Sequence, residues 1–187
     1  MSEHPTADTH VRLALPAEAG AIGAVQVAAW RAAYRGLLPD EVLDQLDAEQ
    51  FAQTWRDALL SPGQARNRVL VALDHERVVG FAATTTADDP DADPAADALV
   101  AEFRVHPDET RAGHGSRLLH AVADTLAADG FSRATIWLNA TDDPLREFLT
   151  SAGWAPDGAH RELDLYGDGS LRVKQIRLHT DPRSADT

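Results

Sequence analysis

Between Val105 and Leu119 the chain reads Val-His-Pro-Asp-Glu-Thr-Arg-Ala-Gly-His-Gly-Ser-Arg-Leu-Leu, a spacing of proline, glycine and basic residues suited to holding an anion. Ala101 to Val105 places apolar side chains at alternate positions, as a half-buried strand does. Pro107 ends that strand because it has no N–H to give to a ladder. From Leu118 the period changes: Leu118, Leu119, Val122, Ala123 and Leu126 recur at threes and fours, the face of a helix. Gly113 and Gly115 therefore sit at a strand-to-helix turn, where the first helical N–H groups have no partner within the helix. Those groups and the helix dipole favour an anion, and glycine lets it approach the backbone. Arg111, His114 and Arg117 add local positive charge. Two familiar phosphate loops do not fit. There is no G-x-x-x-x-G-K-[ST], and Leu118 stands where a G-x-G-x-x-G would carry its third glycine.

Composition bounds what surrounds this loop. At 187 residues the chain is most simply one domain with a sizeable core. No apolar run approaches the roughly 18 residues of a membrane span. The first residues lack the basic and apolar regions of a signal peptide, and there is no cysteine for disulfides, thiol catalysis or cysteine-metal sites. Both features fit a cytoplasmic protein. A net charge of −13 argues against nucleic acid as a partner and favours cationic molecules such as amines, although a merely solubilising acidic surface is the plainer account.

The elements that must position the loop can be read in order. Residues 1–10 are polar and expected to be loose. Val11–Leu15 alternates as a first strand, and Ala17–Tyr34 carries a helical stripe of Ile22, Val25, Ala29 and Trp30. A short helix opens at Pro39, and Ala48–Leu60 is a third helix with Phe51, Trp55 and Leu59 at four-residue spacing. Arg68–Leu73 and Arg77–Thr84 make a hairpin. Residues 85–97 hold five Asp and read as a solvated surface insertion; their resemblance to a calcium loop fails for want of the glycine and the glutamate. Leu99–Val105 is a strand, Gly113–Asp129 its helix and Arg133–Leu138 the next strand, a parallel crossover. Thr141 or Asp142 caps a further helix with Pro144 in its first turn. Glu162–Tyr166 and Leu171–Leu178 form a last hairpin, and residues 180–187 a tail.

The loop resembles the acyl-CoA-binding signature of the GNAT N-acetyltransferase superfamily, V-x-P-x-x-[QR]-x-x-G-x-[GA]. Val105, Pro107, Thr110, Gly113 and Gly115 keep every spacing, with Thr110 where Gln or Arg is usual and Arg111 next to it. Trp30–Leu43 is similar to the first helix and following loop of a GNAT subgroup. Phe148-Leu-Thr-Ser-Ala-Gly-Trp154 is similar to a late helix end of that family. The resemblance spans residues 11–179. It implies a single-domain α/β (α+β) GNAT fold, a mixed twisted sheet of about seven strands with helices on both faces. It also implies acetyl-CoA as co-substrate and no metal. The backbone of Phe103, Arg104 and Val105 would hold the pantetheine. The amides of Arg111, Ala112, Gly113, His114, Gly115 and Ser116, next to Thr110, would hold the pyrophosphate. Asp142 occupies a position where the family often has a cofactor-binding Asn. Trp30 and Tyr34 would line the acceptor pocket. The partner implied is a primary amine of a small molecule or peptide, and the family also allows a homodimer.

Acyl transfer to an amine needs a group that takes the amine proton, a donor for the developing oxyanion and an acid for the leaving thiolate. The family's common tyrosine acid falls at Leu149, and its frequent acidic residue early in the strand falls at Leu99. Glu102 is the carboxylate nearest the expected reaction centre; its plainer reading is a solvated strand residue opposite Arg104. Tyr34 serves either as a pocket wall or proton donor or, equally, as a packed helix-end aromatic, while the plainer reading of Trp30 is core. With no Cys and no placed Ser–His pair, transfer is expected within a ternary complex. A rival reading is a GNAT-like domain that binds acyl-CoA without turning it over, and a longer acyl group is also open.

Overall fold

The computed structural model describes residues 9–165 and 167–184. Most of the N-terminal segment expected to be loose, the last three residues and Tyr166 lie outside the described residues. The elements are β1 (Thr9–Leu13), α1 (Ala19–Ala33), α2 (Asp40–Asp44), α3 (Ala48–Leu60), β2 (Arg68–Asp74), β3 (Arg77–Thr86) and β4 (Asp97–Val105). They continue as α4 (His114–Ala128), β5 (Arg133–Asn139), α5 (Asp143–Ser151), β6 (Ala155–Asp164) and β7 (Arg172–Thr180). This is the order read from the sequence. The strands form a seven-stranded sheet in the order β1-β2-β3-β4-β5-β7-β6. It is mixed: β4 and β5 run parallel, as the crossover requires, while β1–β2, β2–β3, β5–β7 and β6–β7 are antiparallel. No helix among the described residues is long and apolar enough to cross a membrane.

Some boundaries differ from expectation. β1 starts at Thr9, ahead of the alternation at Val11. Pro16–Glu18 is a 3₁₀ turn rather than helix, because Glu18 folds back to accept the Leu15 N–H at 2.7 Å and pair with Arg12 at 2.7 Å. β6 begins at Ala155, seven residues before the expected Glu162. It is a mostly exposed edge strand with a register break between Pro156 and His160, so it shows no apolar alternation to read.

The chain divides into two compact units. The first comprises the described residues up to Thr84 together with Glu102–Val122; the second comprises Thr85–Ala101 and the chain from Ala123 on. In the first, Ile22, Val25, Val71, Leu73 and Phe81 form a buried cluster against which Trp55 and Leu59 pack. The Trp55 ring meets Phe81 edge-on at 5.2 Å. Each fully buried side chain of this kind contributes about 1.5–3 kcal/mol. α1 and α3 approach closely at Gly23, where a Cβ would lie 2.6 Å from the Ala48 carbonyl oxygen.

The second unit is organised by a buried guanidinium. Arg177, on β7 and 4% exposed, donates to both Asp91 oxygens at 2.7 and 2.5 Å and through Nε to Asp157 at 2.7 Å. It lies 3.3 Å from Asp89. Asp89 accepts from the Trp137 indole, over which the Arg161 guanidinium stacks at 4.2 Å. Arg133 reaches Asp157 at 2.7 Å and Asp97 at 3.4 Å. The Asp-rich insertion lies at the surface, with Asp88, Asp91 and Asp93 exposed as its composition suggests, but Asp89, Asp91 and Asp97 are tied to strand arginines. Arg177's hydrogen bonds hold the Asp91 carboxyl down at about 2. Burial pushes Asp157 up, but the Ala159 N–H and Arg177 outweigh it, so its pKa too is lowered.

A carboxyl whose pKa is lower folded than unfolded contributes stability above the unfolded value, near 3.9, and loses it as pH falls towards the folded one. Arg177→Met removes that contribution and leaves Asp157 with Arg133 as its remaining guanidinium partner, at a cost of about 0.5–3 kcal/mol near neutral pH. In urea titrations the gap in stability between wild type and variant should narrow as pH drops from about 6 to about 2.5. A gap that stays constant over that range would show that these carboxyls are not titrating against Arg177.

Candidate active site

The site begins with an irregularity in β3. Ala72 of β2 faces Gly80 but Leu73 faces Val78, so Val79 is an extra residue on β3. Its carbonyl accepts the His106 N–H at 2.8 Å, which fixes where the chain leaves β4. Gly80 lets β4 come close: a Cβ there would lie 2.9 Å from the Arg104 carbonyl oxygen. β4 pairs with β5 only from Asp97↔Arg133 to Val100↔Ile136, yet runs on to Val105. The backbone from Phe103 to Val105 thus continues past the last β5 pair. The Phe103 side chain is 6% exposed and anchors this end of the strand.

Beyond β4, Pro107–Glu109 is a 3₁₀ turn. The Thr110 hydroxyl donates back to the Pro107 carbonyl at 3.1 Å, so it closes that turn rather than replacing the charge of a Gln or Arg. Arg111 and Gly113 take left-handed backbone at φ 64° and 82°. The first bond into α4 runs from the Arg117 N–H to the Gly113 carbonyl at 3.1 Å. The N–H groups of His114, Gly115 and Ser116 lie ahead of it, as at any helix start. Arg111, Ala112, Gly113, Ser116 and Arg117 are exposed around this loop. Arg117 folds over Gly113 and donates to the Ala112 carbonyl at 3.4 Å. His114 differs from its neighbours: it is 4% exposed, and a ring nitrogen lies within 4.8 Å of carboxylate oxygens of Asp74 and Glu109. What it offers the loop is its main-chain N–H.

Glu102 is not a solvated strand residue. Its side chain is 17% exposed; Oε2 accepts from Arg104 Nε at 2.8 Å, and Oε1 lies 3.5 Å from Gln26 Nε2. Gln26, on α1 and 4% exposed, accepts the Trp55 indole N–H at 2.6 Å. A chain of side chains from α3 through α1 therefore sets the rotamer of a β4 carboxylate. Sequence reasoning did not single out Gln26. The available signal was its place between Ile22 and Trp30, four residues from each, as the polar member of an apolar stripe. Trp30 packs against Tyr34 at 5.8 Å and Phe51 at 5.2 Å, and its buried indole nitrogen has no hydrogen-bond partner among the described residues. Tyr34 ends α1 and is 9% exposed.

The remaining expected positions lie in or near the second unit. Asp142 caps α5 by accepting the Leu145 N–H at 3.1 Å. Leu149 is fully buried in α5 and Leu99 pairs with Thr135 in the ladder, so neither offers a titratable group.

A left-handed glycine loop leading from a β4 edge into a helix start is the arrangement that the sequence signature implies. The model of the acetyltransferase (GNAT) family matches residues 28–154, which run from α1 to the turn after α5. The chain belongs to the GNAT acetyltransferase family. GNAT structures superpose over almost its whole length. The PaiA N-acetyltransferase of Thermoplasma acidophilum in complex with coenzyme A aligns with a TM-score of 0.72 at 14% identity, covering 92% of this chain and 98% of that one. A GCN5-related N-acetyltransferase from Kribbella flavida gives 0.69 at 20% identity, with 93% and 98% covered. YncA, a putative acetyltransferase of Salmonella typhimurium with acetyl-CoA, gives 0.66 at 14%, with 96% and 97% covered. At these identities the likeness is one of fold. No curated protein sequence matches the chain.

Gly80→Ala tests the close approach that positions this GNAT site. The added methyl must displace β4 backbone, an overpacking cost of about 1–3 kcal/mol, or a fall in Tm on the order of 3–10 °C by scanning calorimetry. An unchanged Tm would mean that β4 is free to shift and that Gly80 does not fix it.

Proposed function

We propose that this GNAT protein is an acetyl-CoA-dependent N-acetyltransferase acting on a primary amine of a small molecule or peptide. The observation that carries the proposal is the glycine loop between β4 and α4. It combines exposed left-handed backbone, helix-start N–H groups and the guanidinium groups of Arg111 and Arg117. That set suits a pyrophosphate, and the stretch of β4 at Phe103–Val105, beyond its last β5 pair, suits the amide-bearing pantetheine arm. Acetyl-CoA supplies the activated acetyl group as a thioester. The chain's residues hold it, orient the acceptor and accept a proton.

Glu102 takes the proton in this reading. Its carboxylate is held in one orientation by Arg104 and Gln26, as a base needs to be. The neutral amine nitrogen bonds to the acetyl carbon, the carbon–sulfur bond breaks with coenzyme A leaving as its thiolate, and the proton lost from nitrogen passes to Glu102 directly or through a water. Trp30 and Tyr34 form the acceptor wall. A cationic acceptor is consistent with the net charge of −13. A second reading, acyl-CoA binding without turnover, has its own support: Leu149, where the family commonly has a tyrosine, is fully buried and cannot donate a proton to a leaving thiolate.

Calorimetry should show acetyl-CoA binding at one site, weakened about tenfold or more by Gly113→Ala, which places a Cβ at a positive φ. No binding at millimolar acetyl-CoA would sink the proposal. Thiol release across a panel of amines then separates the two readings: turnover above buffer hydrolysis excludes the binding-only module. Glu102→Gln should lower kcat/KM by about 10²–10⁴-fold and flatten the low-pH side of its profile. A variant profile that keeps the wild-type shape would remove Glu102 as the base.

A further inference from the structure

The turn between β2 and β3 and the loop before α4 bring together three side chains that the acyl-transfer site does not use. Asp74 ends β2, Glu109 closes the 3₁₀ turn and His114 opens α4; one donor atom of each lies within 4.8 Å of the other two. The carboxylates are 28% and 21% exposed, and His114 is 4% exposed. No hydrogen bond among the described residues takes up a ring nitrogen of His114. The ring nitrogens of His114 are not among the fully shielded atoms that lack a partner, so a nitrogen stays open to a ligand beside the pair of acids.

The acids are bridged from the outside. Arg77 Nη2 lies 2.6 Å from Glu109 and 3.4 Å from Asp74, while its own side chain is 61% exposed. Asp74 also pairs with His75, at 3.2 Å, whose backbone is left-handed at φ 55°. A cation is thus already held at this place by the sequence, but by a side chain with an open route to solvent.

We propose that Asp74, Glu109 and His114 form a binding site for one divalent ion of the zinc class, which displaces the Arg77 guanidinium. One imidazole with two carboxylates is a donor set for borderline transition metals; calcium prefers six to eight oxygens. Ligand atoms at about 2.0–2.2 Å from zinc stand roughly 3.4 Å apart, so atoms within 4.8 Å of one another close by up to about 1.4 Å through rotamer adjustment. The location gives the ion a consequence. Glu109 and His114 bracket Thr110–Gly113, so a shared ion fixes both ends of the glycine loop and ties it to the β2–β3 turn. The inference does not depend on the acyl-transfer reading, because its test reads metal binding alone.

The untagged full-length protein, stripped with EDTA, is titrated with ZnCl₂ by calorimetry and with CoCl₂ by visible absorption. One equivalent should bind, with a cobalt spectrum of low coordination number. His114→Gln should weaken zinc affinity by at least about tenfold, the loss that outer-shell changes alone can cause. Arg77→Ala, an exposed change that leaves the core alone, should tighten it severalfold by removing the competing cation. Absence of wild-type binding tighter than about 100 µM overturns the proposal. So does a folded His114→Gln protein of wild-type affinity, which places the ion on other histidines. Unchanged or weaker binding by Arg77→Ala also overturns it, and that arm decides the matter if His114→Gln does not fold.

Discussion

What the glycine loop can hold depends on where β4 stops, and β4 stops where the extra residue in β3 dictates. Val79 turns its carbonyl to the His106 N–H, and Gly80 removes the side chain that would keep β4 away. Neither Val79 nor Gly80 is itself among the residues proposed to touch a ligand. Together they set the exit of the strand, and the 3₁₀ turn, the left-handed pair Arg111 and Gly113 and the start of α4 follow within a dozen residues. Moving the exit moves every N–H that the loop presents. The recognition surface is therefore specified by backbone packing in a neighbouring hairpin.

The same economy governs charge. A chain of net charge −13 cannot spare many cations, and those it has are placed. Arg177 serves three aspartates, Arg77 two acids and Arg104 one glutamate. Arg111 and Arg117 are left at the loop, where the arrangement favours an anion. Acidic excess elsewhere does not oppose this, because salt screens exposed charges beyond about 8–10 Å.

How legible this was in the sequence varied with the range of the interaction. The order of the twelve elements and the bounds of α3 follow from periodicity, which is local. The glycine loop was legible for the same reason, since all its parts lie within fifteen residues. The Gln26–Glu102 contact spans 76 positions and the Arg177–Asp91 contact 86, and no pattern in either segment announces the other. The insertion lies at the surface as its composition suggests, but composition counts carboxylates without showing the guanidinium groups that receive three of them. β6 was misread as short because an exposed edge strand buries neither face and so has no alternation. His114 belonged by position to the loop, and only the fold shows that its ring lies with Asp74 and Glu109.

The clasp on the Asp-rich insertion bears on motion. Within residues 89–97 the amides of Ala92, Ala96 and Asp97 bond to acceptors inside the same segment, and Asp93 and Ala95 are held by its own carboxylates. The segment is a small self-bonded body attached through the side chains of Arg177, Trp137 and Arg133 and, at its end, through main-chain bonds from Ser132 and Arg133 to Ala96 and from Ala87 to Asp97. Such a body opens as one piece. Its internal amides should exchange with solvent at a common rate set by release of those side-chain and main-chain ties, below the free energy of global unfolding. Arg177 holds the Asp91 carboxyl at about 2, so that tie survives mild acid and yields only as the pH approaches that value.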